Sequence, residues 1–545
     1  MLNSIQKTLN RFLNTPILFI ILVIGGMWLF RGVLLINKAF PFNADEAIVG
    51  LMAKHILAGA RPIFFYGQVY MGSLDAYIIS IFFNLFGTEI IWIRIVQIIL
   101  FSATLIEFYI FMQVVFEKKI VSMIAMLFLA FPVVNVVLYT TVSLGGYGEA
   151  FLLGMTDLLL AAIFVKTNME QTEKQKKTWV LVILGFCIGL GLWANALSLV
   201  FAGPAVIFIL SNNLKKNINV WKIVKQLTMI VFGFFAGAFF WFYGFFANGG
   251  ILLQEMFGSA VSVETLSFWE RIINHLLSFV LFAPTVIFGF RPPWSVDGIL
   301  LPLIPIVILF WIVTIKKVNI STFSYFQKSV FFTVCSVGFL LFVGFVFTSF
   351  GVDPSGRYFL PFVFLLSMLV GLAGYSKGFG KIYTGLLILV LFYQIAGSLI
   401  YMKQQPKITT QFFRPAQVQQ EYLPELVSFL SSKNEFFGYS NYWVSYPLAF
   451  LSDEKIISVP SLPYHPHLTY TSRDSRIKDY EVQVSESEQV FYITTNNEML
   501  DQVLQTGFKE LEVQYSYQEI GDYHIYYELS EKVEPQQLAA YGLYQ

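Results

Sequence analysis

The stretch "PFNADEAIVG", residues 41–50, comes soon after a long apolar run, 16–36, and carries two adjacent carboxylates, Asp45 and Glu46. A membrane-spanning helix needs about 20 consecutive apolar residues, and charged groups inside a bilayer are costly. The apolar run therefore predicts a first spanning helix. The two acids predict that a polar loop begins close to the point where this helix leaves the membrane.

The composition of the whole chain indicates an integral membrane protein. Of its 545 residues 56% are hydrophobic and only 13% are charged, and the mean hydropathy is +0.66. Soluble domains carry about 25% charged residues. The formal net charge of +1 gives no indication of nucleic-acid binding. The two cysteines, Cys187 and Cys335, lie in apolar runs and have neither a disulfide framework nor metal-ligand spacing around them.

The apolar runs predict a polytopic α-helical protein with about eleven transmembrane helices, and at most thirteen. Two apolar segments, 73–87 and 274–290, are ambiguous because their length and polarity suit either a span or an interfacial helix. The runs taken as spans are 16–36, 89–116, 120–140, 147–166, 178–194, 196–211, 226–247, 299–315, 328–349, 358–376 and 382–402.

The distribution of Lys and Arg predicts the orientation, because these residues concentrate in short cytoplasmic loops. The basic segments can share one side only if an even number of crossings separates them. We therefore expect a cytoplasmic N-terminus, a helix over 73–87 along the outer interface, and no crossing by 274–290 unless a further span matches it. The basic segments are Lys7 with Arg11, 118–119, 166–177, 215–225, 316–328 and 377–381.

The chain is predicted to divide into a transmembrane part, 1–402, with its first outer loop at 37–88, and a C-terminal part, 403–545. The C-terminal part is rich in Gln, Glu, Tyr and Ser and has no spanning run. Within it 424–440 indicates a helix followed by a strand, and 508–530 alternates like two strands around a Gly-Asp turn. We expect a small extracytoplasmic α/β domain in a multi-pass protein of the plasma membrane.

Two acidic positions are candidates for chemistry on the outer face. Asp45 suits a general base that takes a proton from an acceptor hydroxyl or amine. Alternatively Asn43 or Asp45 caps the helix that follows, and the two roles are compatible. Glu149 lies in "TTVSLGGYGEA", 140–150, at the start of a span. It suits an acid that orients an acceptor or a metal, or a charge that is favourable at a helix N-terminus.

Three arginines lie near the predicted outer ends of spans. Guanidinium groups suit phosphate, so Arg94 is a candidate ligand of a lipid phosphate; its alternative is to snorkel to the interface. Arg357 in "DPSGRYFLP" is a second candidate, and its alternative is an ion pair with Asp353 in the same turn. For Arg31 we favour snorkelling.

These motifs resemble the GT-C superfamily of membrane glycosyltransferases, and more narrowly the protein O-mannosyltransferase and aminoarabinose-transferase-like group. The resemblance covers roughly residues 10–400. It rests on the Asp-Glu pair after the first span and on the stretches "YGQVYMGSLDAY" at 66–77, "IRIVQIIL" at 93–100 and "GRYFLPF" at 356–362. The chain departs from aminoarabinose transferases at 70–77, "YMGSLDAY", which has no lysine where they have a Lys-Pro pair.

The resemblance implies an enzyme that moves a sugar from a polyprenyl-phosphate donor to an extracytoplasmic acceptor, with inversion. The acceptor is a cell-envelope glycan, a lipid or a protein. Asp45 is implied as the catalytic residue, with Glu46 and Glu149 as supporting acids and Arg94 and Arg357 as ligands of the donor phosphate. Further candidate substrate contacts are Lys54, Arg61, Tyr66, Gln68, Tyr70 and Tyr358. No cofactor is required and no metal site is predicted, because a lipid-linked phosphate is already a good leaving group.

Two other hypotheses remain open at this point. A transporter or flippase of lipid-linked saccharides needs charged or broken helices near the bilayer midplane. Asp157 and Glu107 are the acids that lie away from the ends of predicted spans, and the sequence has no internal repeat of the kind that builds many transporters. A non-catalytic surface protein would use the C-terminal part to bind partners. Substitution of Asp45 separates both hypotheses from the enzyme.

Overall fold

The computed structural model describes residues 16–544, except 170–178, 249–266, 349–352, 354 and 466. Lys7 and Arg11 lie outside the described residues, as does most of the basic loop 166–177. The cytoplasmic placement of the N-terminus therefore stays a prediction.

Residues up to 402 are mainly helical, with one short hairpin. The elements are α1 (Pro16–Ile36), α2 (Ala44–Leu57), β1 (Phe64–Phe65), β2 (Gln68–Gly72), α3 (Leu74–Phe86), α4 (Ile90–Phe116), α5 (Lys119–Ala130), α6 (Val134–Tyr139), α7 (Tyr147–Met169), α8 (Trp179–Ala194), α9 (Leu199–Lys215), α10 (Val220–Gly237), α11 (Phe239–Asn248), α12 (Phe268–Ile287), α13 (Ile304–Lys317), α14 (Tyr325–Phe347), α15 (Phe362–Leu372) and α16 (Lys381–Leu399).

Within the described ranges, nine helices are long and apolar enough to cross a membrane, and four shorter apolar helices accompany them. The predicted class, a polytopic α-helical membrane protein with a small α/β region near the C-terminus, is confirmed. The helix α12 belongs to the nine and covers most of the ambiguous segment 274–290. Its length favours the alternative in which this segment crosses the membrane. Because the number of crossings decides the side of the C-terminal part, that side stays a prediction.

Three predicted spans are interrupted or shortened in the structure: 120–140, 358–376, and 226–247, which is divided between α10 and α11. The run 120–140 is not one helix, because Pro132 lies between α5 and α6 and cannot donate a helical hydrogen bond. The run 358–376 contains the shorter helix α15, which begins directly after Pro361. The ambiguous segment 73–87 forms α3. At 13 residues and 1.5 Å each it is about 20 Å long, too short to cross a hydrocarbon core of about 30 Å.

The chain forms two compact units. Of the described residues, those within 16–39, 70–72 and 94–404 form the helical unit, and those within 40–69, 73–93 and 405–544 form the mixed unit. The mixed unit thus joins α2, β1 and α3, all from the loop that the sequence predicts to be the first outer one, to the C-terminal part of the chain. The domain boundary predicted after residue 402 itself stays a prediction.

In the helical unit, glycines let two helices pack with their backbones in contact. Gly185 and Gly189 of α8 face Gly233 and Gly237 of α10. A Cβ added at Gly233 would lie 2.0 Å from the carbonyl oxygen of Val182, and the other three glycines are as tightly placed. Small residues spaced four apart on both helices are the usual means of close helix packing in membranes.

The C-terminal part of the mixed unit is an α/β structure built around one five-stranded sheet. Its elements are α17 (Leu423–Lys433), β3 (Phe437–Ser440), α18 (Tyr442–Leu451), β4 (Ile457–Pro460), α19 (Lys478–Glu486), β5 (Phe491–Thr495), α20 (Glu498–Glu510), β6 (Ser516–Ile520), β7 (Tyr523–Tyr527) and α21 (Pro535–Leu538).

The strand order is β4-β3-β5-β7-β6, with β3 parallel to β4 and β5, and with β7 antiparallel to β5 and β6. The helix and strand expected at 424–440 are α17 and β3. The expected Gly-Asp turn joins β6 to β7, and Gly521 has φ +56° there. Apolar side chains of α17, α18 and the sheet form one buried core.

Within the mixed unit, Phe450 of α18 anchors that helix to α2. A Cβ at Gly50 of α2 would lie 2.6 Å from the Phe450 ring, so the glycine is needed for the approach. The Phe42 ring lies 5.1 Å from the Phe450 ring, and the Lys54 ammonium group lies 4.0 Å from its centroid. This packing brings the first turn of α18 to the first turn of α2, where Asp45 lies.

Candidate active site

Asp45 is the first acid of α2, and its side chain is not the cap of that helix. The cap is Asn43, whose Oδ1 accepts a hydrogen bond of 3.0 Å from the backbone N–H of Glu46. The half-buried Asp45 carboxylate instead accepts a hydrogen bond from the hydroxyl of Tyr442, 2.5 Å from its Oδ1. The capping role is therefore filled by Asn43, and the Asp45 carboxylate is left for another function.

Tyr442 is the first residue of α18 and is buried. Burial, and next the charge of Asp45, raise the pKa of Tyr442 well above its usual value, while Arg476 opposes the rise. The phenol therefore keeps its proton and remains a hydrogen-bond donor to Asp45. The Arg476 guanidinium carbon lies 5.5 Å from the centroid of the Tyr442 ring.

Arg476 links this cluster to the β1–β2 turn. Its Nη1 donates to the carbonyl oxygen of Gly67 at 3.1 Å. With the amide of Gln68 oriented so that its oxygen faces the guanidinium, Gln68 accepts from both Nη atoms at 2.9 and 2.8 Å. A Cβ at Gly67, which has φ +68°, would lie 2.7 Å from the Arg476 side chain, so only glycine suits this turn.

Asp474 is a second carboxyl group of the same cluster and is buried. Burial raises the pKa of Asp474 to about 7; Arg476 opposes this rise, and the nearby carboxylate of Asp45 adds to it. Tyr446 accepts from the backbone N–H of Arg476 at 2.6 Å and donates to the backbone carbonyl of Asp474 at 2.8 Å. The segment 474–476 is thus fixed beside Asp45 through backbone contacts.

Besides Gln68, two predicted substrate contacts of the first loop, Lys54 and Tyr66, have partners within the mixed unit. Lys54 pairs with Asp453 at 2.7 Å. Tyr66 lies 3.0 Å from Nδ1 of His55, whose Nε2 lies 2.9 Å from Glu454.

Two further residues of this loop, the predicted substrate contact Arg61 and the predicted supporting acid Glu46, differ in their surroundings. Arg61 is exposed and donates to the nearby carbonyl of Ala60 at 2.7 Å. Glu46 is completely buried, next to Asp45 in the first turn of α2.

In the helical unit, Arg357 is the centre of a second cluster. Its Nε lies 2.6 Å from Oδ2 of Asp353, and its guanidinium carbon lies 5.0 Å from the centroid of the Tyr358 ring. Tyr70 and Tyr147 lie close to Tyr358. The alternative expected for Arg357, a pair with Asp353, is therefore formed, and about a third of the arginine side chain remains exposed.

Glycine makes the turn that presents Arg357. Gly356 has φ +76°, and a Cβ there would lie 2.6 Å from the Val286 side chain. Its carbonyl accepts from the amide of Asn135 at 3.4 Å. Backbone conformation and close packing thus both require glycine at the first position of the "GRYFLPF" motif.

Glu149 and Arg94 also belong to the helical unit, and both are buried. Glu149 lies in the first turn of α7, where a negative charge is favourable. This position fits both a charge at a helix N-terminus and an acid that orients an acceptor or a metal. Arg94 lies in the first turns of α4 and is only 6% exposed. A side chain so enclosed by protein does not extend toward an interface, which argues against snorkelling.

The expectation that Arg31 snorkels is wrong. Its side chain has no exposed surface. One Nη donates to the carbonyl of Thr140 and the other to the Thr140 hydroxyl at 2.7 Å, while the guanidinium carbon lies 4.4 Å from the Phe101 ring centroid. Protein acceptors replace water around the charge, so the arginine holds the start of the 140–150 segment instead of reaching the interface.

A narrow apolar pocket, which is partly open to the surroundings, lies beside Gly356. Its walls come from α5, α6, α12, α13, α15 and α16. Two amide side chains, Asn135 and Gln394, are the polar groups of the lining. A pocket with apolar walls and few polar groups suits an apolar ligand.

Sequence reasoning missed Tyr442, Arg476 and Asp474. Tyr442 is separated from Asp45 by 397 positions. A tyrosine after a short strand carries no signal that distinguishes it from the other tyrosines of the C-terminal part. Among the described residues, no three His, Cys, Asp or Glu side chains converge as a metal site would require.

Comparison with known proteins gives similarity in structure alone. No family model matches the chain, and no curated protein matches it. Its fold is similar to that of ArnT from Cupriavidus metallidurans bound to undecaprenyl phosphate, with a TM-score of 0.56 and 13% identity over 92% of this chain and 98% of that one.

A second similar structure is the Archaeoglobus fulgidus oligosaccharyltransferase in its apo form. The TM-score is 0.52 and the identity 11%, over 88% of this chain and 69% of the other. The resemblance expected from the motifs is therefore confirmed at the level of the fold.

Proposed function

We propose that this chain is an integral-membrane glycosyltransferase that takes a sugar from a polyprenyl-phosphate donor. The observation that carries the proposal is the state of Asp45. Asn43 caps α2, so the Asp45 carboxylate is free of that role, and the Tyr442 hydroxyl holds its Oδ1. A half-buried carboxylate held in this way suits a general base. A similar fold is that of ArnT, whose structure holds undecaprenyl phosphate.

The reaction is a single displacement at the anomeric carbon. An acceptor hydroxyl or amine attacks that carbon, and its proton passes to the Asp45 carboxylate. The bond between the anomeric carbon and the phosphate oxygen breaks, and the polyprenyl phosphate leaves with the bonding electron pair. One displacement inverts the configuration at the anomeric carbon.

Arg357 and Arg94 are the proposed ligands of the donor phosphate. Fixed positive charge stabilises the negative charge that develops on a leaving phosphate. The ion pair with Asp353 orients the guanidinium of Arg357, and a third of the side chain remains exposed for a ligand. Glu46 and Glu149 are supporting acids in this proposal.

The narrow apolar pocket beside Gly356 is a surface that the isoprenoid chain of the donor can contact next to Arg357. It lies one residue from Arg357 in the chain, and its walls are almost entirely apolar. An amphipathic donor with a charged head and an isoprenoid tail matches an arginine next to such a pocket. Tyr70 and Tyr358, which lie close to each other, are proposed contacts of the sugar.

The test is transfer from defined donors in membranes. Membranes that contain the protein are incubated with synthetic polyprenyl-phosphate sugars labelled in the sugar, and the labelled products are separated and identified. We expect a labelled glycan, lipid or protein that membranes without the protein do not form. If no donor in the series labels any product, the proposal fails.

A transporter or flippase of lipid-linked saccharides remains the second candidate. The observation that favours it is Asp157, a buried acid inside α7. Glu107 of α4 is the other such acid, and it accepts a hydrogen bond from the Thr156 hydroxyl at 2.9 Å. Measurement of flipping in proteoliposomes, without any sugar transfer, is the result that would favour this candidate.

A further inference from the structure

Resting on the role proposed for Asp45, we infer that Tyr442 is a positioning residue of the transfer reaction. Its hydroxyl holds one oxygen of the Asp45 carboxylate, and so directs the other oxygen toward the acceptor. The C-terminal part of the chain then contributes directly to catalysis as well as to any recognition of the acceptor.

The contact is short and comes from a well-fixed side chain. The Tyr442 hydroxyl lies 2.5 Å from Oδ1 of Asp45, which is typical of a hydrogen bond to a charged oxygen. Three groups enclose the ring: the Trp443 ring at 4.8 Å, the Tyr446 ring at 5.4 Å and the Arg476 guanidinium at 5.5 Å. A ring packed on several sides keeps its rotamer, so the hydroxyl stays in place.

The backbone that carries Tyr442 is anchored at both ends of α18. At the start, Asn441 accepts from the backbone N–H of Trp443 at 2.9 Å and donates to the Thr495 hydroxyl at 2.7 Å, which ties the turn to β5. At the end, Phe450 packs into α2 against Gly50. The hydroxyl and the carboxylate are therefore held by two elements that are fixed to each other.

A positioned carboxylate works better as a base than a mobile one. A free aspartate rotates about its last torsion, and only part of its orientations direct a lone pair at the acceptor. A hydrogen bond to one oxygen removes most of this freedom before the substrate arrives. Misplacement of a reacting group by a small distance is enough to lower the rate substantially.

The alternative is that Tyr442 only fastens α18 to α2. The chain offers a matched case for this alternative. Tyr480 is also buried, also belongs to the mixed unit, and donates a hydrogen bond of 2.6 Å to the carboxylate of Glu454. Glu454 in turn contacts His55 of α2. Loss of the Tyr480 hydroxyl would loosen the same α2 helix without reaching Asp45.

The experiment compares Tyr442→Phe with Tyr480→Phe in the full-length protein in membranes. kcat and KM are measured for the labelled polyprenyl-phosphate sugar that the wild type uses. We expect Tyr442→Phe to lower kcat by about tenfold or more, the size expected for a hydrogen bond to a charged group. KM for the donor should stay within about twofold, and Tyr480→Phe should leave both constants near the wild-type values.

A second measurement, on the double variant, separates an effect through Asp45 from a general loss of folding. In the Asp45→Asn background, Tyr442→Phe should cause no further loss of the residual transfer, because the tyrosine acts through that carboxylate. An additional loss of the same factor, or equal losses in Tyr442→Phe and Tyr480→Phe, would overturn the inference and indicate a structural contact. A wild type that transfers no sugar would instead overturn the proposed function, and this inference with it.

Discussion

The guanidinium Nε of Arg357 lies 2.6 Å from the carboxylate Oδ2 of Asp353, four residues earlier in the same turn. If Arg357 only closes this turn, substitution of either partner should affect transfer equally. If Arg357 binds phosphate, its own substitution should be the more harmful. We expect Arg357→Gln to lower kcat/KM for the lipid donor by about 100-fold, because the positive charge is lost at the leaving phosphate. We expect Asp353→Asn to lower it only a few-fold.

Asp353→Asn is a suitable partner variant because an asparagine Oδ1 still accepts the N–H of Ser355, a bond of 2.8 Å in the native turn. The measurement is steady-state transfer in membranes, with Arg271→Lys as the control for an arginine elsewhere in the helical unit. Equal losses in Arg357→Gln and Asp353→Asn would mean that the pair is structural and that Arg357 does not bind the donor.

The contact between α8 and α10 predicts a strong effect of one methyl group. Gly233→Ala places a Cβ 2.0 Å from the Val182 carbonyl oxygen, well inside contact distance, so the two helices must separate. We expect the free energy of unfolding to fall by about 1–3 kcal/mol. Gly344→Ala on α14 is the matched control, since nothing lies within 4 Å of the added Cβ. Thermal unfolding in detergent measures both, and equal melting temperatures would contradict the close packing.

Asp157 separates the enzyme from the transporter. It is fully buried in α7, and within the described ranges neither carboxylate oxygen has a hydrogen-bond partner. Asp157→Asn removes the ionisable group at nearly constant volume. Under the proposed function, transfer should stay within about threefold of wild type, since the residue is not assigned to the chemistry. The transporter would be favoured if the wild type transferred no sugar but moved a lipid-linked saccharide across proteoliposomes, and if Asp157→Asn abolished that transport.

The buried carboxyl of Asp474 predicts a pH dependence of stability. Burial raises the pKa of Asp474 to about 7, whereas an aspartate in an unfolded chain titrates near about 4. Between these values the folded protein holds a proton that the unfolded chain has released. The free energy of unfolding therefore falls as the pH rises through this window.

Asp474→Asn removes this contribution. Melting temperatures of the variant and the wild type are compared from about pH 4.5 to about pH 7.5, and the stability of the variant relative to wild type should increase with pH. Glu486→Gln, an exposed substitution in the same unit, is the control. A relative stability that stays constant or falls with pH would show that the carboxyl is not buried as described.

The sequence predicts the helices well, because apolar runs of spanning length and basic loops reflect the bilayer directly. It is less informative where a charge inside the protein finds a local partner. Arg31 was expected to snorkel, but a threonine more than a hundred positions away accepts its hydrogen bonds. Hydropathy indicates that a buried charge is unfavourable, but it does not identify the hydrogen-bond partners that stabilise it.

The candidate site shows the same limit. The position of Asp45 after the first span, with Asn43 before it, is a local pattern and was found from sequence. The contact with Tyr442 depends on how α18 packs on α2, which rests on Phe450 against Gly50. Such long-range packing leaves no periodicity or spacing in one sequence.

The central claim is that the Asp45 carboxylate takes the proton of the acceptor during sugar transfer. The most direct measurement is the rate of transfer from the labelled polyprenyl-phosphate sugar by Asp45→Asn, beside Asp479→Asn, an exposed aspartate of the same unit. We expect Asp45→Asn to insert and fold normally and to lose about 100-fold or more of kcat, while Asp479→Asn retains wild-type activity. Transfer by folded Asp45→Asn at the wild-type rate would contradict the account.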